Sequence, residues 1–129
     1  LVRSRGLGDV YKRQVRSLDL LDRREVWRDG RPVFLEPLRL GGYSQGRAAL
    51  IGAHRAMATL ALLARGAEDA VGPLRSALGG MNGVEAGVSG WDGRCLVRLA
   101  AERAAALRQA LRLAMEVVRG APLPRVWQL

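Results

Sequence analysis

The residues of this chain that could do chemistry are few and isolated. Its single histidine, His54, and its single cysteine, Cys95, have no other metal-binding side chain at a useful step along the sequence. A closed transition-metal site needs several convergent ligands, so the sequence predicts no stably bound metal at either residue. Cys95 follows Arg94 in a stretch typical of a β-strand, which favours a small core side chain over a nucleophile. We therefore expect no metal ligand and no resident cofactor.

Other catalytic arrangements receive no support from the spacing of the residues. Ser89 lies outside any Gly-x-Ser-x-Gly pattern, and no histidine follows it in the chain. The glycine-rich residues 79–83 lack the Lys-Ser/Thr pair that ends a phosphate-binding loop. Glu36 and Glu85 have no identifiable carboxylate partner for paired acid and base catalysis. The sequence therefore predicts a protein that is not an enzyme.

The first fourteen residues differ in composition from the rest of the sequence. They contain Lys12, the only lysine, whereas the other 20 of the 21 basic residues are arginines. Residues 9–14 resemble the translation of a transposase adapter used in preparing sequencing libraries, so we expect residues 1–14 to be a non-native segment. The alternative is an authentic basic N-terminal arm. This segment contributes +3 of the total net charge of +9, which leaves +6 for residues 15–129.

The charge and hydropathy of residues 15–129 limit the possible partners. The arginines are spread singly, apart from the adjacent Arg23 and Arg24, and the aromatic residues are few and scattered. Nucleic-acid interfaces usually combine clustered basic residues with interleaved aromatic ones, so the sequence does not favour nucleic acid. The uncharged residues 56–64 are far fewer than the roughly 20 needed to cross a bilayer. We expect one soluble, cytoplasmic domain with no membrane partner.

The clearest local signal is a β-hairpin centred on Asp29 and Gly30. Strand-like residues 25–28 and 31–36 flank this pair, and Asp-Gly suits a type I′ turn because both of its central positions need positive φ. The apolar residues of the second strand change parity, so we predict a bend or bulge near residues 36–37 that keeps all of them buried. Those residues are Val33, Leu35, Leu38 and Leu40.

Residues 56–64 leave two interpretations open. Ala, Leu and Met dominate the segment, so propensity favours a helix. The apolar positions nevertheless form no clean helical stripe and equally fit a strand that is buried on both faces. The following segment is clearer, because acidic residues after Gly66 suit the start of a helix. We predict a helix over about residues 69–78, with Pro73 in its first turn.

The C-terminal part is predicted to contain a second hairpin, a long helix and a tail. An Asp-Gly turn joins strand-like residues 84–89 and 94–99, and an apolar stripe at steps of three and four predicts a helix over residues 102–119. Gly120 ends that helix, and Pro122 and Pro124 prevent its resumption. We predict an extended tail that places Trp127 either over its own core or against another surface.

Short motifs occur along this chain in a fixed order, and the Pro-Arg-Val-Trp sequence at residues 124–127 is the most specific of them. In order and spacing they resemble the C-terminal half of the UreD family of urease accessory proteins, also called UreH, over residues 15–129. The family usually has Thr after the last tryptophan, where this chain has Gln128. The residues that carry the resemblance are Gly30, Glu36, Arg39, Thr59, Ser89, Arg98, Pro124, Arg125 and Trp127.

The resemblance implies a fold, a role and partners. The implied fold is mainly β (α+β), the C-terminal part of a single domain of stacked, winding sheets with two helices, and it makes residues 57–63 a strand. The implied role is that of a non-enzymatic chaperone that binds urease apoprotein, UreF and the GTPase UreG for nickel insertion, with nickel in transit and no named ligand. The alternative from a different class is a basic interaction module that binds RNA or another acidic partner.

Overall fold

A computed structural model describes residues 19–41 and 52–127 of the chain. The chain divides into two compact units, Leu1–Gly52 and Ala53–Leu129. The described part of the first unit contains a two-stranded antiparallel sheet, and the second contains a three-stranded antiparallel sheet and two α-helices. The predicted mainly β class with two helices is confirmed.

The first sheet is the hairpin predicted around Asp29 and Gly30. Strand β1 spans Leu20–Arg28 and strand β2 spans Arg31–Leu40. Asp29 has a φ of 50° and Gly30 a φ of 71°, so both central turn residues have the positive φ of a type I′ turn. The turn chemistry therefore fixed the position of this hairpin.

The predicted bulge near residues 36–37 is wrong. The register is regular from Leu20 opposite Leu40 to Val26 opposite Phe34 and then shifts, because Trp27 lies opposite Pro32. The irregularity therefore lies at Val33, which the register passes over between Phe34 and Pro32. No bulge is needed further along the strand because Leu35 is not buried; 52% of its surface is exposed.

The second sheet contains strand β3 (Ala56–Leu63), strand β4 (Val84–Trp91) and strand β5 (Arg94–Ala101), in the order β3-β5-β4. The family-based assignment of residues 57–63 to a strand is confirmed, against their helix propensity. All eight residues of β3 have partners in β5. Strands β4 and β5 form the predicted second hairpin, in which Asp92 and Gly93 again have positive φ.

Two α-helices follow the predictions closely. A 3-10 turn over Ala67–Ala70 leads into helix α1, Val71–Leu78, so that Pro73 is the third residue of the α-helix and removes no internal hydrogen bond. Helix α2 spans Ala104–Arg119 and begins two residues later than predicted, because Arg103 is in an extended conformation. Gly120 ends α2 with a φ of 62°, as predicted.

The core lies between α1, α2 and one face of the three-stranded sheet. It includes Val97 and Leu99 of β5, Leu74 of α1 and the small residues Ala110 and Ala114 of α2. Alternate residues of a strand point to opposite faces, so one set from each strand meets the helices. The apolar stripe that predicts α2 from the sequence consists of Ala104, Leu107, Leu111, Ala114, Met115 and Val118. It omits Ala110, which is fully buried, and includes Ala104, which is exposed.

The tail after α2 is held by Leu123, of which only 4% is exposed. The prediction that the chain runs extended up to Trp127 is wrong for its last described residues, because Arg125–Trp127 form a 3-10 turn. The Trp127 amide donates to the Pro124 carbonyl at 2.9 Å. Trp127 itself remains 47% exposed, so Leu123 supplies the buried apolar contact of this tail.

Candidate interaction surface

The second face of the three-stranded sheet lies opposite the one that α1 and α2 cover. We call it the outer face. Residues that lie directly opposite each other in neighbouring strands share a face of the sheet. The pairing of β3 and β4 with the central strand β5 therefore shows which residues belong to the outer face. The outer face consists of Met57, Thr59, Ala61 and Leu63 of β3, Arg94, Leu96, Arg98 and Ala100 of β5, and Glu85, Gly87, Ser89 and Trp91 of β4.

Three of the nine motif residues come together on this outer face. Thr59 lies directly opposite Arg98, and Arg98 lies opposite Gly87 on its other side. Ser89 is two residues further along β4, on the same face. The three residues are distant in sequence, and the pairing of β5 with both neighbouring strands brings them into one patch.

The composition of the outer face suits binding better than catalysis. Trp91 is 48% exposed and Met57 is 43% exposed, while Leu96 between them is almost fully buried. Exposed Trp, Met and Arg side chains are enriched in protein interfaces, where they contribute much of the binding energy. Arg94 is held in place by hydrogen bonds from Nη1 to the Asp92 carbonyl, at 2.8 Å, and to Asp92 Oδ2, at 3.1 Å. The patch therefore has the residue types of a protein-binding surface.

Three further motif residues belong to the hairpin of the first unit. Gly30 occupies the turn, and Glu36 accepts a hydrogen bond from Arg24 at 3.4 Å. Arg24 also pairs with Asp22 at 2.6 Å, so Glu36 belongs to an ion-pair network on one face of the hairpin. The exposed Arg39 pairs with Asp19 at 3.6 Å. Gly30 and Glu36 thus both lie within the hairpin itself, one in its turn and one in its ion-pair network.

The other three motif residues, Pro124, Arg125 and Trp127, belong to the C-terminal tail. All three are exposed, and Trp127 is about half accessible. Neighbouring Val126 is the most exposed of the large apolar side chains in the described residues, at 74%. The tail thus presents an arginine beside two apolar side chains, with Leu123 as its buried anchor.

His54 and Glu85 lie in contact, although nothing in the sequence indicated that either residue has a partner. Nε2 of His54 lies 3.7 Å from Oε1 of Glu85. The residues meet because β3 and β4 both run antiparallel to β5 and both begin opposite Ala101. No local sequence signal predicts this, since 31 positions separate the two residues and only the strand order brings them together.

His54 and Glu85 border a cleft of about 650 Å³ at this end of the sheet. Glu102 and Arg103, which precede α2, and Gln109 within α2 also line this cleft. Both acidic and basic side chains are present, so the cleft has no single charge preference. Within residues 19–41 and 52–127, no three His, Cys, Asp or Glu side chains are placed to hold a metal ion together.

Cys95 is a core residue, as predicted. It lies in the central strand β5 with 1% of its surface exposed, and burial raises the pKa of its thiol above the ordinary value of 9.0. A raised pKa reduces the fraction of thiolate, which is the nucleophilic form. The environment of Cys95 is therefore that of an inert structural thiol.

None of the helices in the described parts of the chain is both long and apolar enough to span a membrane.

Comparison with known proteins gives consistent matches. The sequence matches the family model of the UreD urease accessory protein over residues 7–128. It is 47% identical over 110 residues to the urease accessory protein UreD of Cereibacter sphaeroides, covering 83% of this chain and 40% of that protein. It is 40% identical over 121 residues to UreD of a Methylobacterium species, covering 88% of this chain and 43% of that protein.

A third relative, urease accessory protein UreD 2 of Methylorubrum populi, is 44% identical over 111 residues, which cover 83% of this chain and 37% of that protein. The chain thus spans about two fifths of the length of the curated relatives it matches. The family match begins within residues 1–14, whose non-native origin stays a prediction.

Proposed function

Because the chain belongs to the UreD family of urease accessory proteins, we propose that it acts in urease maturation as part of a scaffold without catalytic activity of its own. The family match carries this proposal, since it extends over residues 7–128. The chain would act as a portion of a longer accessory protein, because its relatives are more than twice as long. The exposed binding-type residues of the outer face are compatible with this role.

The proposed partners are urease apoprotein, UreF and the GTPase UreG, and the proposed site of action is the cytoplasm. Nickel is the cargo of the assembly and is delivered to the urease active site. We name no nickel ligand in this chain, and the mixed charges of the His54 cleft give no reason to choose one. The proposed contribution of this segment is to hold partner surfaces in place.

Within that role, we assign different tasks to the motif residues. Thr59, Ser89 and Arg98 share the outer face, where Arg98 is exposed, so we propose that they belong to the partner-binding surface. Arg125 and Trp127 are proposed to extend partner binding to the tail, because both are exposed beside Val126.

The remaining motif residues are assigned structural tasks. Gly30 closes the first hairpin, Glu36 belongs to its ion-pair network and Pro124 accepts the hydrogen bond that closes the last 3-10 turn. Arg39 pairs with Asp19, the residue that precedes β1. Substitutions at these four positions should act through folding rather than through direct contact with a partner.

Complementation tests the proposal directly. A urease-positive strain that lacks its own UreD receives the longer protein that carries this sequence, and urease activity and the nickel content of purified urease are measured. We expect both to be restored. Arg98→Glu should lower both by at least about tenfold if it disrupts a central interface contact, whereas Arg108→Glu, on the exposed side of α2, should leave both unchanged.

The complementation result can contradict the proposal in two ways. If the wild-type protein accumulates in folded form and urease stays inactive and free of nickel, the role in urease maturation is wrong. If the wild-type protein restores activity and Arg98→Glu does so equally well, the role stands and the assignment of Arg98 to the partner-binding surface is wrong.

A further inference from the structure

The turn between helix α1 and strand β4 contains Asn82, the only asparagine of the chain, followed by Gly83. Both residues are exposed and lie outside the helix and the strand. Asparagine is a thermolabile residue, because the next main-chain nitrogen can attack its side-chain carbonyl carbon and displace ammonia. Glycine hinders this attack less than any other residue, since it has no Cβ atom.

The two groups that would react are not held by the fold. The Gly83 amide and the Asn82 carboxamide make no hydrogen bond within residues 19–41 and 52–127. A Cβ atom built on Gly83 would meet no heavy atom within 4 Å, so the main chain has room to turn. The attack on the side-chain carbon therefore breaks no hydrogen bond of the described structure.

The Gly83 amide lies on the side of β4 that faces β5. Trp91 and Arg94 flank the two-residue turn as a hydrogen-bonded pair, and such pairs alternate along an antiparallel ladder, so every second residue back to position 83 directs its amide towards β5. The strand pairing ends at Val84, opposite Ala101. An element added to the outer edge of β4 would therefore lie on the other side of the strand from this amide.

Space for water, the second reactant, adjoins the turn. Asn82 and Gly83 line the cleft of about 650 Å³ that His54 and Glu85 border. One water molecule takes up about 30 Å³ of liquid volume, so the cleft admits many of them. The turn thus combines an unbonded nucleophile, an unbonded carboxamide and access to solvent.

The second turn of this sheet shows how the fold restrains the same ring closure elsewhere. Asp92 is also followed by a glycine, but the Gly93 amide donates to Oε2 of Glu68 at 3.0 Å. Oδ2 of Asp92 accepts a hydrogen bond from Nη1 of Arg94 at 3.1 Å. Ring closure at Asp92 would have to break both contacts, whereas ring closure at Asn82 breaks neither kind.

We infer that Asn82 is a site of spontaneous modification, at which the folded protein releases ammonia and gains a carboxylate. The Gly83 nitrogen gives its proton to a base in solution and bonds to Cγ of Asn82. The bond from Cγ to the side-chain nitrogen breaks, and ammonia leaves with a proton from solvent. Water then opens the five-membered succinimide ring, at Cγ to give aspartate or at the main-chain carbonyl carbon to give isoaspartate. The sum is one water consumed and one ammonia released, without oxidation or reduction.

The products change the cleft and the start of β4. Either product adds a negative charge to a cleft that already contains Glu85 and Glu102. In isoaspartate the main chain runs through Cβ and Cγ, so it becomes one atom longer directly before Val84, the first residue of β4.

Ageing of the longer protein that carries this sequence tests the site. The folded protein is incubated at mildly alkaline and, in parallel, at mildly acidic pH, and an arginine-specific protease then releases residues 76–94. This peptide contains no other amide side chain, so mass spectrometry assigns the exchange of NH for O to Asn82. The exchange should be at least about tenfold faster at alkaline pH, because the attacking nitrogen must lose its proton. An isoaspartate-specific methyltransferase should label part of the product.

Two variants separate ring closure and main-chain freedom from composition. Asn82→Gln keeps the carboxamide but requires a larger ring, and it should slow the loss of ammonia at least about tenfold. The double variant Asn82→Gln, Asp92→Asn moves the Asn-Gly sequence to the turn in which Glu68 holds the Gly93 amide. The second site should lose ammonia at least about fivefold more slowly than Asn82 of the wild type. Circular dichroism establishes that each variant retains its sheet and helix content.

Unfolded protein provides the reference for both sites. In urea, Asn82 of the wild type and position 92 of the double variant should react within about twofold of each other, because the fold no longer distinguishes them. Loss of ammonia from the unfolded protein but not from Asn82 of the folded protein would overturn the inference. Equal rates at the two sites in the folded proteins would also overturn it, since the unbonded Gly83 amide would then confer no reactivity.

Discussion

The guanidinium group of Arg75 is fixed to the main-chain oxygen of Val88 by two hydrogen bonds, 2.8 and 3.2 Å long. Arg75 belongs to α1 and Val88 to β4, so this contact fastens the helix to the edge of the sheet. Leu74, the preceding residue, is fully buried in the core. The arginine thus connects the packing of α1 with the protection of a strand edge.

Loss of this contact should destabilise the second unit. We predict that Arg75→Met lowers the free energy of unfolding by about 1–2 kcal/mol, because the Val88 carbonyl loses a charged donor while the aliphatic packing is retained. Urea denaturation followed by circular dichroism measures the change. The matched variant Arg108→Met, on exposed α2 surface, should change stability by less than about 0.5 kcal/mol. Equal effects of the two substitutions would contradict the predicted role of Arg75.

Two glycines of β4 provide a matched test of packing. A Cβ atom at Gly90 would lie 2.5 Å from Cγ2 of Val71, whereas one at Gly87 would have no heavy atom within 4 Å. We expect Gly90→Ala to cost about 1–3 kcal/mol through overpacking. Gly87→Ala should be neutral or slightly stabilising, because alanine restricts the unfolded chain. Thermal denaturation of both variants measures this difference, and a Gly87→Ala variant as unstable as Gly90→Ala would show that packing against Val71 is unimportant.

Gly30 tests whether a motif residue acts through the backbone alone. Its φ is 71°, and a Cβ atom at this position would meet nothing within 4 Å, so the only penalty for alanine is conformational. We predict that Gly30→Ala destabilises the hairpin by about 1 kcal/mol and that Gly30→Asn restores most of the loss. Hydrogen exchange of amides in β1 and β2 reports local stability. Partner binding that is lost in Gly30→Asn despite normal hydrogen exchange would instead indicate direct contact.

Cys95 should make stability depend on alkaline pH. Burial raises the pKa of this thiol in the folded protein, so above pH 9.0 the thiol ionises more readily in the unfolded chain. This contribution to stability is present below pH 9.0 and is lost as the pH rises towards the folded-state pKa. The urea concentration at the midpoint of unfolding should therefore fall more between pH 8 and pH 10 in the wild type than in Cys95→Val. An equal fall would contradict the prediction, as would rapid modification of the native thiol by an aromatic disulfide reagent.

The elements that the sequence predicted well are those fixed by local chemistry. Both Asp-Gly turns formed where expected, because positive φ at two consecutive residues is a local requirement. Gly120 ended α2 for a similar reason. The ordered motifs also identified the family correctly, and the family match confirms that resemblance.

The elements that local chemistry left open depend on tertiary structure. Residues 56–63 have the composition of a helix and form strand β3 because β5 supplies a partner for each of them. The sequence predicted the bulge near residues 36–37 instead of at Val33, because that prediction assumed that Leu35 is buried. The meeting of His54 with Glu85, and of Thr59 with Arg98, follows from the order of the strands, which no local pattern encodes.

Affinity capture with UreF shows whether the protein that carries this sequence takes part in urease maturation. The longer protein that carries this sequence is co-expressed with tagged UreF from the same organism, and the captured material is analysed for both proteins and for RNA. We predict stoichiometric co-purification of the two proteins without RNA, and weaker capture of Arg98→Glu than of Arg108→Glu. A folded, intact protein that fails to bind UreF, or that is recovered mainly with RNA, would contradict a role in urease maturation.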